Sequence, residues 1–83
     1  MRTIRYTEPA LKQLRANGSV MAKRIMAKMD QLAADPSALT NQVIRLQGGE
    51  ALRLRIGAYR VIFTDDGLVL MVLKVGHRSD VYD

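Results

Sequence analysis

The spacing of apolar residues along this chain runs strand-like, then helix-like, then strand-like again. From Arg2 to Tyr6 it alternates, with Thr3 and Arg5 on one side and Ile4 and Tyr6 on the other, as a short half-buried strand requires. Thr7-Glu8-Pro9 then reads as a helix start: Thr7 is a capping residue, and Pro9 fits a first turn where its missing N–H costs nothing. Ala10, Leu11 and Leu14 form the apolar stripe of this helix, and Asn17-Gly18 ends it because both residues tolerate positive φ. A second helix is expected from an N-cap at Ser19 to about Ala34. Ala22, Ile25, Met26, Met29, Leu32 and Ala33 recur there at helical spacing, and Asp35-Pro36 stops it.

From Val43 onward the period is two. Strands are predicted over Val43 to Gln47, Ala51 to Ile56, Tyr59 to Thr64 and Leu68 to Val75, with turns at Gly48-Gly49, Gly57-Ala58 and Asp65-Asp66-Gly67. The last run is almost wholly apolar, as a central strand covered on both faces would be. The order β-α-α-β-β-β-β predicts a small α+β domain, a helical hairpin packed on a mainly antiparallel curved sheet. One domain, residues 1–83, is all that this length accommodates.

Composition narrows the function. The chain has no cysteine and one histidine, His77, which leaves no disulfide framework and no zinc-type ligand set, so no cofactor or metal is expected. The opening residues, MRTIRYTEPALK, lack the apolar segment of a signal peptide, and the longest apolar run, Leu68 to Leu73, is too short for a bilayer. A soluble cytoplasmic protein without a membrane partner is expected. Its formal charge of +5 favours polyanionic partners, nucleic acid first.

The placement of that charge says more than its total. In LRLRIGAYR, Leu52, Leu54 and Ile56 take one face, so Arg53 and Arg55 share the other, and Arg60 opens the next strand. No acid interrupts residues 51–64. Guanidinium is permanently charged and bidentate toward phosphate, and like charges on neighbouring strands repel unless an anion joins them. Beyond the apolar run, Lys74, His77, Arg78 and Tyr82 are expected past the last strand, with Gly76 as a turn. Together these are the parts of a nucleolytic site. RNA is cut without metal when its own 2′-OH attacks the adjacent phosphate; arginines neutralise the phosphorane, a ring stacks a base, and histidine moves protons.

At these residues the chain resembles the RelE branch of the RelE/ParE toxins, the toxin halves of bacterial type II toxin–antitoxin pairs. The likeness rests on LRLRIGAYRVIF, residues 52–63, with VLKVGHRSDVY, residues 72–82, and the TEPALKQL helix start extends it over most of the chain. It implies a ribosome-dependent endoribonuclease that enters the A site and cleaves mRNA, leaving a 2′,3′-cyclic phosphate. It also implies a cognate antitoxin as partner. Arg53, Arg55, Arg60, Arg78 and Tyr82 fall on the functional positions of the branch, with His77 where some relatives place a histidine and others a lysine. The best-known member has lysines where this chain has Arg53 and Arg55. Arginine effectively never loses its proton, so these two read as phosphate clamps rather than bases. Arg45, Lys74, Lys23, Arg24 and Lys28 are further candidates for contacting RNA. The last three, on one face of the second helix, would suit an antitoxin or ribosomal RNA, but such charges more often form a solvated helix face. A ParE-like inhibitor of DNA gyrase shares the topology, and a plain RNA-binding module remains a third reading.

Overall fold

The computed structural model describes residues 1–79. Strand β1, Thr3–Tyr6, leads into helix α1, Glu8–Ala16, through Thr7 in an extended conformation. The Thr7 hydroxyl oxygen accepts the Ala10 N–H at 3.3 Å, so Thr7 is the cap its position suggested. The same hydroxyl donates to the Leu73 carbonyl at 3.1 Å, tying the start of α1 to the sheet. Glu8 in the first turn and Arg15 in the last complement the helix dipole.

Helix α2 spans Ser19–Ala34, and its N-cap is Gly18, not Ser19. Gly18 turns the chain at φ 88, a conformation that suits glycine, and its carbonyl accepts the Ala22 N–H at 3.0 Å. Ser19 is therefore already the first helical residue. The helix buries Ile25, Met29, Leu32 and Ala33. It stops at Asp35, whose carboxylate accepts the N–H and hydroxyl of Ser37. A 3₁₀ turn, Thr40–Gln42, then follows buried Leu39 into the sheet, an element that the periodicity did not announce.

The remaining strands are β2, Val43–Arg45; β3, Leu52–Ile56; β4, Tyr59–Asp65; and β5, Val69–His77. They form one five-stranded sheet ordered β1-β5-β4-β3-β2. β1 runs parallel to β5 and the other pairings are antiparallel. The predicted order of elements is the observed one. Both helices lie on one face, over a core that includes Ile25, Met29, Leu54, Val61, Phe63, Leu70, Val72 and Val75. Leu68 is 76% exposed and Leu73 37%, so the apolar run into β5 is not covered on both faces, although β5 is central in the sheet. Among the described residues no helix is long and apolar enough to cross a membrane.

Candidate functional site

The β3–β4 register decides where the arginines go. Arg55 stands directly opposite Arg60, and Arg53 opposite Ile62. Directly opposed residues share a face, with Cβ atoms about 4.5–5.5 Å apart. Arg53, Arg55 and Arg60 thus rise from the sheet face turned away from the core residues Leu54 and Val61. Ile62 lies between Arg53 and Lys74 on that face and is nevertheless buried, at 8% exposure.

Lys74 reaches this face because of an irregularity. The β4–β5 register slips by one between Ile62, opposite Lys74, and Phe63, opposite Val72, which leaves Leu73 as an extra residue. Alternation restarts after such a bulge. Val72 and Val75 both enter the core, and Lys74 and Gly76 turn outward beside Ile62 and Arg60. The Val75 N–H is satisfied from the helical layer, donating to Gln13 Oε1 of α1 at 2.6 Å. β5 thus carries Lys74 and runs on through Gly76 and His77, two residues past the end at Val75 that the sequence suggested.

The bulge also sets His77. It pairs with Tyr59 on the core side of the sheet, and the two rings meet edge to face with centroids 5.6 Å apart. Nδ1 of His77 accepts the Ser79 N–H at 3.3 Å and lies 2.9 Å from the Ser79 hydroxyl. His77 is not among the residues lining the arginine concavity described next.

That concavity opens beside the start of β2. β2 pairs with Leu52 to Leu54, so on that edge of β3 no described strand pairs with Arg55 and Ile56, and Leu39 and Gln42 from the 3₁₀ turn region line the concavity there instead. Beside this edge is a hollow of about 510 Å³ lined by Arg24, Lys28, Arg55, Arg60 and Arg78, with Leu54, Ile56 and Gly57 among its walls. No described carboxylate lines it. Arg60 folds over its own hairpin, Nη1 donating to the Gly57 and Tyr59 carbonyls at 3.0 Å each. The Arg78 N–H donates to the Ala58 carbonyl at 2.7 Å, which holds the strand exit against the same turn. Gly57, at φ 58, packs under Arg24: a Cβ there would meet Arg24 Nη2 at 3.4 Å.

Of the residues singled out from sequence, Arg55, Arg60 and Arg78 converge with Arg24 and Lys28 on one hollow. Arg53 and Lys74 occupy the adjoining sheet face. Lys23 does not line the hollow, and Arg45 sits elsewhere, in a second depression shared with Glu50, Asp65 and Asp66. Tyr82 lies outside the described residues. Sequence reasoning missed Gln13 and the Leu73 bulge, whose only trace is the two core valines, Val72 and Val75, at odd spacing.

The family model described as the ParE toxin of the type II toxin–antitoxin system, parDE, matches residues 4–82. This chain belongs to that toxin family. Within it the resemblance runs to the RelE type. The Escherichia coli (strain K12) protein named mRNA interferase toxin RelE is 28% identical over 81 residues, covering 93% of this chain and 85% of that protein. The toxin fold recurs in the E. coli RelBE toxin–antitoxin complex, with TM-score 0.73 and 23% identity over 93% of this chain and 96% of that one. It recurs in the archaeal RelE–RelB complex from Pyrococcus horikoshii OT3, with TM-score 0.75 and 24% identity over 96% and 98%. The E. coli DinJ–YafQ toxin–antitoxin complex superimposes with TM-score 0.80 at 15% identity, over 99% and 98%. The RelE-like α+β fold expected from the sequence is thus the fold observed.

Proposed function

We propose that this toxin is an endoribonuclease that cuts mRNA in the ribosomal A site. The observation that carries the proposal is the convergence of Arg55, Arg60 and Arg78 on one hollow that no described carboxylate lines. In the proposed step the 2′-oxygen of one nucleotide attacks its own 3′-phosphorus, forming a 2′,3′-cyclic phosphate as the bond to the 5′-oxygen of the next nucleotide breaks. The 2′-OH gives up a proton and the departing 5′-oxygen takes one up. The nucleophile comes from the substrate, so the protein's task is electrostatic: the dianionic phosphorane gains most from fixed cations placed where its charge grows. Arg55, Arg60 and Arg78 take that role, and Arg53 and Lys74 hold the strand along the outer sheet face. Tyr82 is assigned to stacking or proton transfer. His77, against Tyr59 on the other face, acts chiefly by bracing the end of β5.

Cations without an orienting frame align a 2′-OH poorly, and the ribosome supplies that frame by holding the codon in line. The partner proposed for the resting state is an acidic antitoxin segment, which complements a +5 toxin. The name of the matching family model favours a second reading, inhibition of DNA gyrase as a ParE-like toxin. Primer extension on mRNA translated in the presence of the protein separates the two. Breaks in phase with codons support the nuclease; intact mRNA together with gyrase-dependent DNA breaks refutes it.

A further inference from the structure

Helix α2 gives the arginine hollow a second wall. Arg24 and Lys28 stand one turn apart on that helix, the spacing at which side chains are neighbours, and both line the hollow together with Arg55 and Arg78. Like charges at this spacing destabilise a helix unless an anion offsets them. Among the described residues neither Arg24, Lys28, Arg55 nor Arg78 forms a salt bridge. The Arg24 guanidinium lies over Gly57 at the β3–β4 turn, within van der Waals range of where a Cβ would stand. Lys23, adjacent in sequence, does not line the hollow.

We infer that Arg24 and Lys28 form a second phosphate subsite, which grips the phosphodiester next to the one cut at Arg55, Arg60 and Arg78. The inference rests on the proposed reading of the arginine hollow as an RNA site and extends it. A single-stranded RNA whose reacting phosphate lies in the hollow must carry its next phosphate out past one wall. The α2 wall is cationic, and the volume of about 510 Å³ is in the range that holds a nucleotide-sized ligand. A planar guanidinium with an ammonium one turn away suits a phosphate with two open oxygens. The role is binding, not chemistry, since the α2 side chains act on a phosphate that does not react.

The test is the salt dependence of binding to a short single-stranded RNA whose 2′ positions are methylated, so that it cannot be cut. Each phosphate contact contributes about 0.7 to the slope of log affinity against log salt. Arg24→Ala and Lys28→Ala should each weaken binding and flatten the slope by up to that amount, while Lys23→Ala leaves both unchanged. Arg24→Gln, which keeps a polar side chain but removes the charge, should match Arg24→Ala, and circular dichroism on each variant verifies the fold. On ribosomes the two α2 variants should raise KM and leave kcat near wild type. Affinity and slope indistinguishable from Lys23→Ala would overturn the subsite. So would unchanged RNA binding with weakened binding of an acidic peptide, which would assign α2 to a protein partner. Because the methylated RNA cannot react, a toxin that binds it in this way but never cleaves mRNA would sink the proposed reaction and leave the subsite standing.

Discussion

Gln13→Ala tests the link between α1 and the site end of β5. Val75 is 1% exposed, and its N–H is satisfied by Gln13 Oε1 at 2.6 Å, in the part of β5 beyond Val72, where the pairing with β1 has ended. Removing the acceptor leaves a buried donor without a partner, at a cost of about 1–3 kcal/mol. Alanine regains a few tenths of a kcal/mol in helix propensity, so the expected net loss is about 0.7–2.7 kcal/mol. In a domain of this size each kcal/mol shifts Tm by about 4–8 °C. Thermal unfolding should therefore show a fall of at least about 3 °C, and amide exchange at Val75 should accelerate. Gln13→Glu keeps an oxygen in reach and should recover most of the loss. Because the bulge turns Lys74 and Gly76 outward, the proximity of the Gly76 and Arg60 backbones in NMR spectra should weaken in Gln13→Ala. An alanine variant that melts with wild type and keeps Val75 protected would show that Gln13 does not hold the bulge.

Arg60→Ala removes two charge-assisted bonds to the Gly57 and Tyr59 carbonyls as well as a cation of the hollow. It should lose about 1 kcal/mol of stability and, on ribosomes, about 10²–10³ in cleavage rate; a folded variant of wild-type activity contradicts both. Burial, and secondarily the charge of Asp30, pushes the Tyr6 phenol up to about 12 from an ordinary 10.0. The folded state thus prefers neutral Tyr6: that stabilisation is complete below pH 10, is lost as pH rises toward 12, and should appear as one late phenolate transition at 295 nm. Asp30→Asn should move the transition part of the way down. His77→Phe, which keeps a ring against Tyr59, should retain most cleavage, whereas Tyr82→Ala should lose more than Tyr82→Phe if stacking dominates; a His77→Phe variant that folds but does not cut would return His77 to the chemistry.

Much of this architecture could be read from local pattern. The change of period separated helices from strands, Thr7 marked a cap, and Asp66-Gly67 marked a hairpin turn, each through chemistry confined to a few neighbouring residues. The common face of Arg53 and Arg55 followed from strand alternation alone, and Arg60 joined it because the β3–β4 turn is tight. Other features depended on contacts between distant segments. An apolar run gives no sign of which residue is surplus, so the inversion at Leu73 and the true placement of Lys74, Gly76 and His77 were hidden. Arg24 and Lys28 looked no different from Lys23 until the packing of α2 brought two of the three to the β3 edge. The Gly18 cap was mistaken for Ser19 because glycine caps by backbone conformation rather than by a side-chain oxygen.

The central claim is that guanidiniums gathered beside the β3–β4 turn stabilise a cleaving phosphate. Single-turnover reaction of an mRNA on purified ribosomes, comparing wild type with Arg55→Ala and Arg78→Ala and identifying the new 3′ end, addresses it most directly. The account predicts a 2′,3′-cyclic phosphate from wild type and cleavage slowed about 10²–10³-fold in each variant. Intact mRNA with wild type, or arginine variants that cut at the wild-type rate, would contradict it.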